Sequence, residues 1–477
     1  MKPTSIGHWP ERYRSGLAAS SQLIREALIG TEQDLTQGPM NRAIVLLAIP
    51  MMLEMMMESI FAIVDIFFVS KLGADAVATL GITEAIITLL YAVAIGLSMA
   101  VTALVARRIG EHNPESAAIV AGQSLWVGVI LSLMISIAGV VYAEDLLRLM
   151  GVSSSAIADH AGYTSIMFGG CGSILLLFLI NGVFRGAGDA SVAMRVLWFA
   201  NGINIILDPC LIFGLGPFPE LGLAGAAVAT TVGRSCGVFL QLYYLFFGNT
   251  RVVLSARHLR PRVDEMLHLI HISIGGIMQF FIATSSWVLL MKIVAGYGSV
   301  AIAGYTIAIR IINFIILPAW GLSNAAATLV GQNLGAAQPE RAEKFVWRVA
   351  IYNFVFLMSV GIVLIVTPDP IITFFTQDSA IIAYAVSCLR WLGYGLGLFA
   401  IGLVLNQAFN GAGDTMTPTK INFIAFWIIQ LPLAYWLSEH VTRSPDGVFI
   451  AIFIGESLMT LIAFAIFRRG QWKLVEV

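Results

Sequence analysis

The chain has 477 residues, of which 58% are hydrophobic and only 12% are charged. A soluble domain carries charge on about a quarter of its residues, so this composition excludes an ordinary soluble protein. The formal net charge of −1 says little about partners, and we expect a lipid bilayer and small molecules as partners, with no nucleic acid.

Residues 1–41 are polar and are predicted to form a cytoplasmic N-terminal tail, with an interfacial helix near 17–28 or disorder as the alternatives. An N-terminal six-helix lobe is predicted over 42–247. Apolar runs of about 20 residues, long enough to cross a bilayer as helices, lie in it near 43–66, 83–106, 118–142, 161–183, 191–214 and 222–247.

A basic linker is predicted over 248–266, followed by a C-terminal six-helix lobe over 267–467 and a short cytoplasmic tail over 468–477. The spans of the second lobe are predicted near 267–291, 303–330, 345–367, 384–406, 416–437 and 447–467. The four cysteines all lie inside spans without metal-ligand spacing, which favours a packing role.

The two halves repeat each other at one ungapped offset. Phe184-Arg185-Gly186-Ala187-Gly188-Asp189 recurs as Phe409-Asn410-Gly411-Ala412-Gly413-Asp414, and Asn181 recurs as Asn406. Because each half has an even number of spans, the repeats are parallel. The expected fold is therefore an all-α membrane protein with twelve transmembrane helices in two parallel six-helix repeats around a central cavity, an arrangement typical of transporters.

Most of the 27 lysines and arginines lie in the loops of one side, and this bias predicts the orientation. It places both GAGD loops, the basic linker and both termini in the cytoplasm. The expected location is the plasma membrane, or the inner membrane of a Gram-negative cell. The opposite side carries only Lys71, Arg148, Lys292 and Arg443.

Ionisable residues inside spans cost roughly 2.5–3.5 kcal/mol each on insertion, so each needs an explanation. Glu54, Glu58 and Asp65 share one face of the first span, at spacings of four and seven residues. Asn201, Asn204 and Asp208 share a stripe of the fifth span, where Pro209 removes an amide donor.

Purely structural roles are open for several of these residues. Glu54 could pair with Arg234, and Lys71 could satisfy Asp65 from the interface. Asn201 is better explained by an interhelical hydrogen bond than by ligand binding. Two other glutamates lie in or at the start of predicted spans. Glu84 is expected to be interfacial or helix-capping. For Glu456 the sequence does not decide whether the side chain is paired or functional.

The acidic cluster is confined to the first half of the chain. The repeat offset places Gln279, Ala283 and Leu290 opposite Glu54, Glu58 and Asp65, and it places Ile429 and Leu433 opposite Asn204 and Asp208. Packing gives no reason for this asymmetry, whereas a single cation site does. Since crowded carboxylates in a low-dielectric pocket repel, at least one is expected to hold a proton near neutrality. Oxygen ligands also suit a hard cation such as Na⁺, so H⁺ and Na⁺ both stay open.

These motifs resemble the MATE (multidrug and toxic compound extrusion) family over residues 40–467. The resemblance is carried by Val64-Asp65-Ile66-Phe67-Phe68-Val69 with Leu72-Gly73, by the two F-x-G-A-G-D loops, and by Asn204 with Asp208-Pro209. It implies a secondary active antiporter that exports amphipathic, often cationic drugs or metabolites in exchange for H⁺ or Na⁺.

Within this family the chain is similar to the DinF-like branch. That similarity implies a cation site at Asp65, Asn204 and Asp208, which could hold Na⁺, with Thr230 as a less certain fourth ligand because Thr231 is adjacent. It also implies a polar network of Glu54, Glu58, Asn181 and Asn201, and a bend at Pro50. Glu58 departs from the branch, which tends to have an amide there. The chain also lacks the acidic residues that the NorM-like branch has on the seventh and tenth spans.

Three other classes of protein share some of these features. A lipid-linked oligosaccharide flippase of the same superfamily would favour a basic cavity, a possibility that Arg234, Arg310 and Arg390 keep open. A major-facilitator carrier also has parallel halves, but the loop at 107–111 lacks that family's Asp-Arg pair. No Walker loop, HExxH, GxSxG or Cys/His metal pattern is present, so we expect neither an enzyme nor a cofactor. We expect a monomer.

Overall fold

The computed structural model of the protein describes residues 21–30, 34–150 and 154–475. Within these ranges all regular structure is helical, and twelve helices are long and apolar enough to cross a membrane. In chain order they are α1 (Met40–Leu72), α2 (Thr79–Gly110), α3 (Pro114–Val141), α4 (Ala161–Ala187), α5 (Ala190–Phe213), α6 (Leu223–Phe247), α7 (Val263–Ala295), α8 (Ser299–Gly335), α9 (Pro339–Val366), α10 (Ser379–Ala412), α11 (Met416–Thr442) and α12 (Asp446–Arg468). Short helices, Ala143–Leu149 and Pro368–Thr373, follow α3 and α9.

Each of the twelve predicted spans overlaps one of these helices. The helix that contains α2 begins at Ala74, well before the predicted start of the span at 83. Glu84 therefore lies about three turns into the helix, and its expected role as a helix cap is wrong. Two helices are irregular: α4 is interrupted at Gly170, and α11 contains the π-helical segments Phe423–Gln430 and Leu437–Thr442.

The backbone repeats between the two halves as closely as the sequence does. Gly188 and Gly413 end α4 and α10 in the left-handed conformation, with φ of 89° and 91°. The next amides, of Asp189 and Asp414, donate back to the carbonyls of Phe184 and Phe409 at 2.8 and 3.0 Å. Glycine suits this turn because a side chain at positive φ is strained. The GAGD motif is thus a helix-ending turn that is used twice.

The two six-helix groups, α1–α6 and α7–α12, pack together at the end of the bundle that holds residues 186–189 and 411–414, which we call the GAGD end. There the Gln332 amide donates to the carbonyl oxygen of Gly186 at 2.8 Å, and the Thr328 hydroxyl donates to that of Arg185 at 3.0 Å. A Cβ added at Gly110 would lie 2.7 Å from the carbonyl carbon of Gln332. Small residues therefore allow the backbones of α2 and α8 to touch and close the bundle at this end.

The first helix of each group packs on the other group near the GAGD end. Residues 43–51 of α1 belong to a core cluster with Leu322 and Leu329 of α8. Conversely, Leu269 and Ile272 of α7 belong to a core cluster with residues of α2 and α4. This reciprocal exchange joins the two groups where the bundle is closed.

Part of the predicted N-terminal tail is packed on the bundle. Residues 21–29 are helical, Ala27 is 1% exposed, and a Glu26 oxygen lies 2.6 Å from a nitrogen of Arg42. Residues 17–20, where the predicted interfacial helix would begin, lie outside the described residues. The other tail also contacts the bundle, because the Arg107 guanidinium donates to the carbonyl oxygen of Val475 at 3.0 Å.

Candidate functional site

Two of the three acidic residues on α1 are paired with arginines. Glu54 is 2% exposed and accepts hydrogen bonds from the Asn181 amide at 3.1 Å and from the Arg185 guanidinium at 3.3 Å. Glu58, one turn further along, lies 3.7 Å from a guanidinium nitrogen of Arg234 and accepts from the Asn201 amide at 3.5 Å. Buried charge is tolerated when it is paired and hydrogen-bonded in this way. The hydrogen bond expected of Asn201 is present.

The alternative in which Glu54 pairs with Arg234 is wrong, because Arg234 faces Glu58. Glu54 instead pairs with Arg185, which the charge count had placed in a cytoplasmic loop. The reason is that α4 continues to Ala187 before Gly188 ends it, so Arg185 is still helical and buried. Its guanidinium also donates to the Ser98 hydroxyl of α2 at 2.7 Å.

The repeat has a neutral version of the Glu54–Arg185 pair. Its equivalent residues, Gln279 and Asn410, are also in contact, and their side chains exchange hydrogen bonds of 2.9 and 3.2 Å. The same contact between helices is thus built from two charges in one half and from two amides in the other.

The remaining carboxylates lie nearer the opposite end of α1 and α5. Asp208 is fully buried and Asp65 is 6% exposed. Contacts of α1 with α5 on either side of them, Glu58 with Asn201 and Phe68 with Phe213, place the two carboxylates on facing stretches of these helices. The Asn204 amide donates to Asp208 at 3.5 Å and to the Thr230 hydroxyl of α6 at 3.0 Å. The structure therefore brings Asn204, Asp208 and Thr230 together, with Asp65 nearby.

Several oxygens of this group have no hydrogen-bond partner among the described residues. They are Oδ1 of Asp65, Oδ1 of Asn204 and Oδ2 of Asp208, all of them buried. None of the ion pairs within the described part of the chain includes Asp65 or Asp208. Buried polar atoms are normally satisfied, so unpartnered carboxylate oxygens indicate a proton or a cation.

The possible ion pair between Lys71 and Asp65 is not among the ion pairs of the described residues. The Lys71 ammonium lies over the ring of Phe67 instead, 4.4 Å from its centroid. Lys71 belongs to the 3₁₀ turn Ser70–Leu72 after α1, which places it among aromatic rings. Among the described residues, no three His, Cys, Asp or Glu side chains come together as a metal site. A cation at Asp65 and Asp208 would therefore need Asn204 or Thr230 as well.

A cavity of about 370 Å³, the N chamber, lies between the two helix groups. Glu58, Glu84, Arg185 and Arg234 supply its charges, and of these Arg185 is already paired with Glu54 outside the lining. Arg234 also lies over an aromatic ring of this chamber, that of Tyr91, at 5.7 Å from the centroid.

A second cavity of about 510 Å³, the C chamber, is lined mainly by α7, α8, α10 and α12. Met99, Phe280 and Trp320 line both chambers, and the rings of Phe280 and Trp320 are stacked with centroids 6.3 Å apart. The two chambers thus meet at this stacked pair to form one central cavity. Sequence reasoning assigned no role to these aromatic residues, because apolar residues in a span carry no signal of facing a cavity.

The two proline positions lie inside continuous helices. Pro50 is buried within α1, which runs without a break from Met40 to Val69, and Pro209 lies within α5. Pro209 directly follows Asp208 and cannot donate a backbone hydrogen bond, which weakens the helix beside the unpaired carboxylate.

Twelve spanning helices in two repeated groups, which enclose a cavity with buried ionisable groups, define a membrane transporter. Comparison with known proteins identifies its family. The MatE family model matches the chain twice, over residues 50–210 and 276–436, so the chain belongs to the MATE family. The relatives that match this chain are multidrug resistance proteins and transporters, and the chain is not an enzyme.

Relatives match nearly the whole chain at low identity. The probable multidrug resistance protein NorM of Thermotoga maritima is 26% identical over 437 residues, covering 91% of this chain and 93% of that protein. An FAD transporter of Shewanella oneidensis is 26% identical over 435 residues, covering 91% and 96%. An outward-facing structure of a multidrug resistance MATE family transporter superposes with a TM-score of 0.86 at 27% identity, covering 92% of this chain and 98% of that one.

Proposed function

We propose that this MATE transporter is a secondary active antiporter of the DinF-like branch, which exports amphipathic, often cationic drugs or metabolites in exchange for H⁺ or Na⁺. The observation that carries the proposal concerns two carboxylates, Asp65 and Asp208, which are buried in one half of the duplicated fold. Neither forms an ion pair with another of the described residues. In the other half Leu290 and Leu433 stand at the equivalent positions. Relatives named for multidrug resistance support the direction of transport.

Exchange follows from the charge of this site. With both carboxylates ionised, the site has a strong preference for a cation, and Asn204 and Thr230 add neutral oxygen ligands of the kind that Na⁺ accepts. A proton on either carboxylate would also relieve the repulsion. The coupling ion is therefore H⁺ or Na⁺, and no further cofactor is needed.

The ion must favour one conformation if it is to drive export. The conformation described here is closed at the GAGD end by contacts between α2 and α8. If the excess of lysine and arginine marks the cytoplasm, this end and both termini are cytoplasmic and the cavity opens outward. Similarity to an outward-facing MATE structure supports this assignment. Moving such an equilibrium from 1:99 to 99:1 requires about a 10⁴-fold difference in ion affinity.

The polar network of Glu54, Glu58, Asn181 and Asn201 has a structural role in this proposal. Its two arginine pairs tie α1 to α4 and α6, so that movement of α1 is transmitted to the lobe. Pro50, which cannot donate a backbone hydrogen bond to α1, is the proposed point of bending. One chain contains both groups of helices, which agrees with action as a monomer in the plasma or inner membrane.

A flippase for lipid-linked oligosaccharides is disfavoured by the charges in the cavity. A pyrophosphate would need unpaired basic residues, but Arg185 and Arg234 face Glu54 and Glu58. Arg390 pairs with Asp369, at 3.5 Å, and neither residue lines a chamber.

Efflux of a fluorescent organic cation from cells without their own multidrug pumps tests the proposal. Asp65→Asn and Asp208→Asn should each abolish export at unchanged expression, whereas Glu220→Gln, in an exposed loop, should not. Removal of Na⁺ and collapse of the proton gradient, applied separately, identify the coupling ion. Normal export by either Asp→Asn variant would refute the ion site.

A further inference from the structure

The C chamber has an acidic residue that the ion site does not use. Glu456 of α12 lines this chamber, and its Oε2 atom is buried without a hydrogen-bond partner among the described residues. None of the ion pairs in the described part of the chain involves Glu456. A carboxylate at this depth is costly unless it is neutralised.

The other residues that line the chamber do not neutralise it. Among them Glu456 is the only Asp, Glu, Lys or Arg side chain. Six of the lining residues are aromatic, namely Phe280, Trp287, Tyr305, Trp320, Phe399 and Phe426, and the polar ones are mainly neutral amides. The Tyr305 hydroxyl is also buried, and it has no hydrogen-bond partner within the part of the chain that the structure describes. One negative charge within aromatic walls is the chemistry that binds an organic cation.

We propose that the C chamber is a binding site for hydrophobic organic monocations, with Glu456 as the counter-charge and the aromatic rings as the walls. The volume of about 510 Å³ lies within the range of small-molecule sites, roughly 300–1,000 Å³. A single carboxylate can balance one positive charge, so a dication would bring an uncompensated charge into the chamber and bind weakly.

This inference rests on the proposed export function, since it locates the substrate of that transporter. It assigns the two acidic regions to different ligands. The coupling ion takes Asp65 and Asp208, and the substrate takes Glu456. The N chamber is lined by two arginines, Arg185 and Arg234, whose positive charges disfavour a cation there, whereas the lining of the C chamber contains no basic residue. The stacked pair Phe280 and Trp320 is then the boundary that a substrate crosses between the chambers.

Equilibrium binding to the purified full chain tests the site without an ion gradient. The probe is tetraphenylphosphonium, a hydrophobic monocation, and the comparison ligand is methyl viologen, a dication. Wild-type protein should bind the phosphonium and should bind the viologen far more weakly. Glu456→Gln, which keeps the size of the side chain, should weaken phosphonium binding roughly tenfold or more, a loss of about 1.4 kcal/mol or greater.

Two further variants make the result decisive. Glu456→Asp retains the charge and should retain most of the affinity, whereas Glu220→Gln removes an exposed carboxylate and should change nothing. A second check is Trp287→Ala, which removes one aromatic wall and should also weaken binding. Unchanged phosphonium affinity in Glu456→Gln, or equal affinity for the dication in wild type, would overturn the assignment. The proposed antiport fails separately, through normal export by Asp208→Asn.

Discussion

Isosteric removal of one charge should affect stability very differently at two buried carboxylates, Glu54 and Asp208. In Glu54→Gln the buried Arg185 loses its carboxylate partner, whose oxygen lies 3.3 Å from the guanidinium. Breaking a buried pair in this way costs about 3–5 kcal/mol. In Asp208→Asn no ion pair of the described residues is broken, and the new side chain keeps an oxygen that can accept from the Asn204 amide. This variant should be as stable as wild type or more stable.

Thermal unfolding of the purified protein, followed with a thiol-reactive dye, measures this difference. Cys171 and Cys388 are fully buried, so the dye reports their exposure on unfolding. Glu54→Gln should melt well below wild type, Asp208→Asn should not, and Glu220→Gln should match wild type. If Asp208→Asn lost as much stability as Glu54→Gln, Asp208 would be a paired structural residue, and the reasoning that separates it from Glu54 would be refuted.

Two further substitutions test the closed end and the surroundings of the ion site. Gly110→Val should push α2 away from Gln332 and open the GAGD end, seen as longer distances between spin labels at that end of α2 and α8. Gly81→Val, on the same helix but with no atoms within 4 Å of the added Cβ, should leave those distances unchanged, and equal distances in both variants would contradict the proposed closure. Lys71→Ala should export a fluorescent cation as wild type does, because Lys71 lies over an aromatic ring. Loss of export at normal expression would mean that Lys71 acts on Asp65 after all.

Hydrophobicity and repetition were enough to predict the architecture. The sequence contains twelve apolar runs of bilayer length. In lipid the backbone hydrogen bonds of such a run must be made within the run itself, so each one is predicted to form a helix. The repeated GAGD sequence predicted the two halves, and Gly188 and Gly413 do end equivalent helices, α4 and α10, at positive φ. The acidic residues on α1 and α5 were also evident, because charge inside an apolar span is rare enough to stand out.

The partners of those charges came only from the tertiary structure. Helical periodicity places Glu54, Glu58 and Asp65 on one face, but it does not say which arginine faces which carboxylate. The side chain that meets Glu54 depends on where α4 ends and on how closely α2 packs beside it. Such contacts join residues more than a hundred positions apart, and no local pattern records them.

The tertiary structure also determined which carboxylates form ion pairs and which do not. Sequence alone treated the acidic residues of the first lobe as one cluster. Packing separated Glu54 and Glu58, held by arginines, from Asp65 and Asp208, which have no such partner. It also surrounded Glu456 with aromatic rings from four other helices. The sequence by itself determined which charges enter the membrane, and three-dimensional packing determined which of them are left to bind a ligand, because neutralisation depends on distance in space.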